Sequence, residues 1–176
     1  GRRSAARSSP PTGRNHYLAA PKSPGMRVSV IGGSTVTESE AETAEAVGRL
    51  LAQHGHTIVC GGYGGVMEAA CRGASEAGGH TIGILSSDDP DDANAYVDDP
   101  IATGLGHARN ALVVMNGDAV VAVDGGGGTL SELGYASIYG RPTAGLGTHD
   151  ADHVETVESA EEAVRYVETA VGVGEE

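Results

Sequence analysis

Residues 121–133 read VAVDGGGGTLSEL. A β-branched run ends at Val123, four glycines occupy 125–128, and a helix-like run carrying Thr129 and Glu132 follows. Glycine inside ordered structure costs conformational entropy, so four in succession indicate a backbone that must come close to something. A strand that feeds a glycine loop and then a helix N-terminus is an anion site, because free N–H groups and the helix dipole both favour negative charge there. Gly125, Gly126, Gly127 and Gly128 are therefore candidate phosphate-binding positions, with the Thr129 hydroxyl as a further donor. The alternative is a tight turn for close helix–sheet packing, for which one or two glycines would serve.

The same pattern repeats outward from this stretch. Residues 27–31 (RVSVI) read as a strand running into GGSTVTES, and 38–54 place Ala44, Val47 and Leu51 at helical spacing before Gly55. A strand over 57–60 runs into GGYGG; a small-residue helix over 66–77 and a strand over 81–85 follow. Next come a polar loop over 86–95, a short strand within 96–101, a helix over 106–116 and an apolar strand over 118–123. Beyond the glycines the spacing predicts a helix over about 130–139, a strand over 142–146 and an amphipathic helix over 159–171. Alternating strands and helices give parallel βαβ units. Near-continuous apolar strands are expected where helices cover both faces of a sheet. The predicted fold class is α/β: a doubly wound, mainly parallel sheet in one domain over 26–176. Ligands of such sheets bind outside the carboxyl ends of the strands. Three of those ends are glycine-rich, at 32–34, 61–65 and 125–128, and they are expected to converge on one rim.

Charge is divided unevenly along the 176 residues. Residues 1–25 hold Arg2, Arg3, Arg7, Arg14 and Lys22 and no acid, and read as a disordered basic extension. The remainder sets six arginines against all 24 acids, a net charge of −18. Such a body repels nucleic acid and anionic membranes. It also lacks Phe, Trp and Lys. This composition resembles that of proteins from salt-loving archaea, where salt screens self-repulsion. Cys60 and Cys71 are too few for a disulfide framework and are expected to be reduced and partly buried. No apolar run approaches the roughly 20 residues that span a bilayer, and the first residues lack a secretory h-region. The expectation is a cytoplasmic protein with neither a nucleic-acid nor a membrane partner.

Several chemistries are excluded. No lysine follows Lys22, which removes both a G-x-x-x-x-G-K-[ST] phosphate loop and a pyridoxal-phosphate Schiff base. GGYGGVM at 61–67 does not meet G-x-G-x-x-G, and Ser86 stands where a ribose-binding acid would follow Leu85, so no dinucleotide is expected. The seven histidines show no metal spacing. Neither a metal nor a resident cofactor is expected.

Glu132 has two readings. Thr129-Leu-Ser-Glu132 is a capping-box pattern, and the same spacing recurs at Thr37–Glu40 and Ser159–Glu162. Glu132 also lies beside the proposed anion site, where its carboxylate can face the ligand rim. Arg109 precedes an apolar helical run in a body with few cations, and an arginine there can grip a phosphate bidentately. The competing reading is an ion pair on an acidic surface. Arg72, at mid-helix, is a weaker case of the same choice.

Together these residues resemble a known family. DGGGGTLSE at 124–132 is similar to the PGGxGTxxE motif of LOG-type (Lonely Guy) proteins, and HARN at 107–110 to their M-H-x-R-K segment. VIGGS at 30–34 and GGYGGVM at 61–67 resemble their first and second glycine loops, in the same order. The resemblance implies a Rossmann-like homodimer that hydrolyses the N-glycosidic bond of a nucleoside 5′-monophosphate, releasing base and ribose 5-phosphate. Glu132 would be the catalytic carboxylate and Arg109 its cationic partner. Gly125–Gly128 and Thr129 would hold the phosphate; Gly33, Ser34, Gly61, Gly62, Gly65 and Met67 would line the pocket. The chain looks most similar to a side branch that includes molybdenum-cofactor carrier-like proteins. The alternative function is therefore a non-catalytic carrier for a phosphorylated cofactor such as molybdopterin. Asp124 stands where the motif has proline and Asn110 where it has lysine; both weaken phosphate attraction.

Overall fold

A computed structural model of the chain describes residues 25–173. The basic extension expected over 1–25 lies almost entirely outside these described residues. Seven strands form one sheet in the order β4-β3-β2-β1-β5-β6-β7, and every neighbouring pair is parallel. The strands are β1 (Arg27–Gly32), β2 (Thr57–Cys60), β3 (Thr81–Leu85), β4 (Asp99–Ala102), β5 (Ala119–Val123), β6 (Thr143–Leu146) and β7 (Val154–Thr156). The helices are α1 (Glu38–Gln53), α2 (Val66–Glu76), α3 (Asn110–Met115), α4 (Gly127–Ile138) and α5 (Ala160–Val171). The α/β, doubly wound, parallel class read from the sequence is the observed one.

Side-chain alternation along the central strands builds two cores. Val28 and Val30 of β1, with Ala119, Val121 and Val123 of β5, meet α1, α2 and α5 on one face. Ile31, Val120 and Ala122 point the other way, onto Val113 and Val114 of α3 and Leu133 and Ala136 of α4. A period of two thus serves two apolar layers. In the first layer α1 and α2 cross backbone against backbone. A Cβ at Gly48 would lie 2.0 Å from the Ala70 carbonyl oxygen, and one at Gly73 2.1 Å from that of Glu45.

Several boundaries differ from the sequence reading. The short strand expected within 96–101 is β4, shifted to Asp99–Ala102 because Tyr96 and Val97 belong to a turn around Asn94. The helix expected over 106–116 is a 3-10 turn, Gly106–Arg109, followed by the short α3. Strand β7 was not anticipated: three residues with one half-buried valine carry no periodic signal. Cys60 and Cys71 are free and fully buried rather than partly so, with their sulfurs 3.5 Å apart between β2 and α2.

Candidate functional site

Chain order reverses between β1 and β5, which leaves a crevice above their carboxyl ends, the place where open α/β sheets bind ligands. The loops after β1, β2 and β5 meet there around a cavity of about 470 Å³. That volume suits a small molecule. Among the residues named from the sequence, Gly33, Ser34, Gly61, Met67, Arg109, Gly126, Gly127, Gly128, Thr129 and Glu132 line it. Gly62, Gly65 and Gly125 do not; their glycine identity has a local cause. A Cβ at Gly65 would sit 2.1 Å from the Gly33 carbonyl oxygen, and Gly125 lies at φ +121 against the Thr129 side chain. Gly126 and Gly127 are different. Neither has a positive φ, and an added Cβ at either would meet nothing within 4 Å.

The expected start of α4 at about residue 130 is corrected by the structure. Gly126 is the N-cap and the helix begins at Gly127. Its first main-chain bond runs from the Leu130 N–H to the Gly126 carbonyl, so the Gly127, Gly128 and Thr129 amides have no intrahelical acceptor. Thr129 is thus within the first turn, not its cap, and its buried Oγ1 has no hydrogen-bond partner. The capping-box reading of Glu132 also gives way. At Thr37 both halves of the box form, and at Ser159 the hydroxyl accepts from the Glu162 N–H. Glu132 instead turns its carboxyl into the cavity, where it is 8% exposed. Burial pushes its pKa up to about 7, and the charge of Arg109 opposes that rise.

Arg109 is equally buried. The 3-10 turn delivers it to the cavity floor, where Nη2 donates to the Gly61 carbonyl and Nη1 to Asn110 Oδ1. Its guanidinium lies 5.6 Å from the centre of the Tyr63 ring. Tyr63 is held in turn, its hydroxyl accepting the N–H groups of Ser86 and Ser87 at 3.0 Å each. Arg109 Nε has no partner. Nε and Thr129 Oγ1 are thus two buried, unpaired polar atoms on residues that line one cavity.

Tyr63, Ser86, His107 and Asn110 also line the cavity but were not singled out as ligand contacts. Ser86 follows a strand tip without glycines, so it gave no signal. Asp124 adopts φ +51, which proline cannot reach, so the proline of the LOG-type motif does not fit this turn. Its carboxylate stands beside Gly33, within 2.8 Å of where a Cβ would lie. Arg72 is a structural ion pair, donating through Nε and Nη2 to Glu45.

Among the described residues, one cluster outside the cavity has metal-ligand spacing: His54, His56 and Glu168. His56 Nδ1 accepts the Met26 N–H, so Nε2 carries the ring proton and donates it to Glu168. A nitrogen bearing a proton is not a metal ligand. The cluster ties α5 to the end of α1 and the start of β1.

Residues 25–172 match the profile of the SLOG cluster4 family. An uncharacterised protein of Archaeoglobus fulgidus is 40% identical over 142 residues, which is 80% of this chain and 93% of that protein. The molybdenum cofactor binding protein of Rippkaea orientalis superposes with a TM-score of 0.79 at 32% identity, covering 84% of this chain and 98% of that one. The molybdenum cofactor carrier protein of Chlamydomonas reinhardtii gives 0.77 at 32% identity, covering 84% and 99%. With that match over nearly all of the described residues, the chain belongs to the SLOG cluster4 family.

Proposed function

We propose that this domain is a binding protein for a phosphorylated cofactor of the molybdopterin class, with the phosphate at the Gly126–Thr129 turn. One observation carries the reading. Gly126 and Gly127 line the cavity although neither backbone geometry nor packing requires glycine there. What remains to keep them bare is a ligand that approaches the main chain. The free amides of the first turn and the Arg109 guanidinium are donors of the kind that a phosphate dianion needs. The likeness to proteins described as binding or carrying molybdenum cofactor points to the same class. Mass spectrometry of the supernatant from denatured protein should find a pterin. Gly127→Ala should keep or raise the melting temperature while abolishing that co-purification. Co-purification that survives in a folded Gly127→Ala protein would remove the phosphate from this turn.

A second reading, N-glycosidic hydrolysis of a nucleoside 5′-monophosphate, is favoured by one feature. Glu132 is a carboxyl in the cavity with its pKa near 7, suited to proton transfer or to stabilising an oxocarbenium-like sugar. Released base from AMP in high-salt buffer, lost in Glu132→Gln with AMP binding kept, would support it. Saturable AMP binding with no base released would leave the carrier.

The homodimer is part of the same proposal. Helices α3 and α4 carry a single charged residue, Glu132, which faces inward. Their outer surface and β4 expose Met115, Leu130, Ile138 and Ile101. A bare face on so acidic a body is the one that a second copy can approach without charge repulsion.

A further inference from the structure

Asn110 is the first residue of α3, and its side chain bonds outside that helix. It is buried, and both ends of its amide are engaged elsewhere. Oδ1 accepts from Arg109 Nη1. Nδ2 donates to Ser131 Oγ at 3.0 Å, and Ser131 passes its own proton to the Gly128 carbonyl at 2.7 Å. Donors and acceptors therefore run in one direction, from the guanidinium through two neutral side chains to the glycine turn. The last acceptor matters most. The Gly128 carbonyl and the Thr129 N–H belong to the same peptide group. Withdrawing electron density at that oxygen makes the Thr129 amide a stronger donor to whatever lies in the cavity. The bonds link two separate parts of the fold, since Arg109 closes the 3-10 turn before α3 and the glycine turn opens α4 after β5.

We propose that Asn110 is the positioning residue of the cavity, fixing Arg109 against the Gly126–Thr129 turn so that cation and amides act on one anionic group as a unit. This inference rests on reading the cavity as an anion site, but its primary test needs no ligand. Arg109 holds down the proton affinity of Glu132 by its charge, and that effect falls as the separation grows. In Asn110→Ala the guanidinium loses one of its two hydrogen bonds and keeps only the longer one, 3.4 Å, to the Gly61 carbonyl. The Glu132 carboxyl, followed by carbon NMR in ligand-free protein, should then titrate at higher pH than in wild type, by about half a unit or more. Ser131→Ala, a change at an exposed position, should shift the midpoint in the same direction by less, and it serves as the judge should Asn110→Ala not fold. With AMP as probe, each variant should bind about tenfold more weakly. The double variant should be no worse than the poorer single one, as expected of residues in one chain of bonds. An unchanged Glu132 midpoint in folded Asn110→Ala and Ser131→Ala, or strictly additive losses of AMP affinity, overturns the proposal. A wild-type protein that binds neither AMP, inorganic phosphate nor a pterin phosphate overturns the anion-site reading instead, and the ligand-free titration still decides the role of Asn110.

Discussion

Glu132 keeps its proton to about pH 7 because burial costs its charged form more than the through-space attraction of Arg109 returns. The sign of the consequence follows. The unfolded chain ionises this carboxyl near 4.5, the folded one near 7, so between those values the native state binds the extra proton. Its contribution is full below the lower value and is lost as pH rises to the upper one, by roughly 3 kcal/mol in the limit of complete burial. Glu132→Gln should remove that loss. Its stability advantage over wild type, measured by urea unfolding at fixed salt, should grow between pH 5 and pH 8; parallel curves would rule the argument out. Asp124 offers a second residue-scale test. A non-glycine side chain at φ +51 carries strain, so Asp124→Gly should raise stability by a few tenths to about 1 kcal/mol in thermal unfolding. From the sequence, Glu132 and Arg109 could be picked out by position and rarity. The orientation of Glu132 could not, because Thr129-Leu-Ser-Glu132 matches a cap as well as a site, and only the helix starting at Gly127 decides between them.

At the scale of elements, α1 and α2 hold each other through Gly48 and Gly73. Gly73→Ala would drive a methyl onto the Glu45 carbonyl and should cost about 1–3 kcal/mol, with unfolding at lower urea and little change at the cavity. Helix α5 is fastened differently. Hydrogen bonds from His56 and His54 hold the Glu168 carboxyl below its usual range despite partial burial. That stability is present above the normal carboxylate pKa and disappears as pH falls through the lowered one. Glu168→Gln should therefore lose its disadvantage in acid, as amide exchange along α5 would register. Periodicity made α1, α2, α5 and the central strands legible, because each buries one regular face. It failed where glycine conformation or brevity governs: the early start of α4, the break at Arg109 and the three-residue β7. The Glu168 contact with two histidines more than 100 residues away lay beyond any local pattern.

For the whole molecule, the two helical layers differ in character. Helices α1, α2 and α5 each carry two or more carboxylates, whereas α3 and α4 carry only the inward-facing Glu132. Raising KCl from about 0.1 M to about 2 M should increase the melting temperature by screening repulsion among the carboxylates; a flat response would count against a salt-adapted fold. Ile138 is 74% exposed on the second layer. On the proposed homodimer, wild type should sediment as a dimer and Ile138→Asp as a folded monomer; a monomeric wild type would sink the dimer. Net charge is visible in composition, but the contrast between the two helical layers depends on which helix packs on which face. That assignment follows from strand order and crossover handedness.

The sheet's borders carry a further consequence. Strand β4 offers solvent a border holding Asp99 and Pro100, and β7 one holding Glu155. A proline has no hydrogen to give, and carboxylates refuse a neighbouring strand of the same sign. Lateral growth into ribbons or fibres is closed at both margins, so a crowded solution of this protein should stay free of thioflavin-positive aggregates.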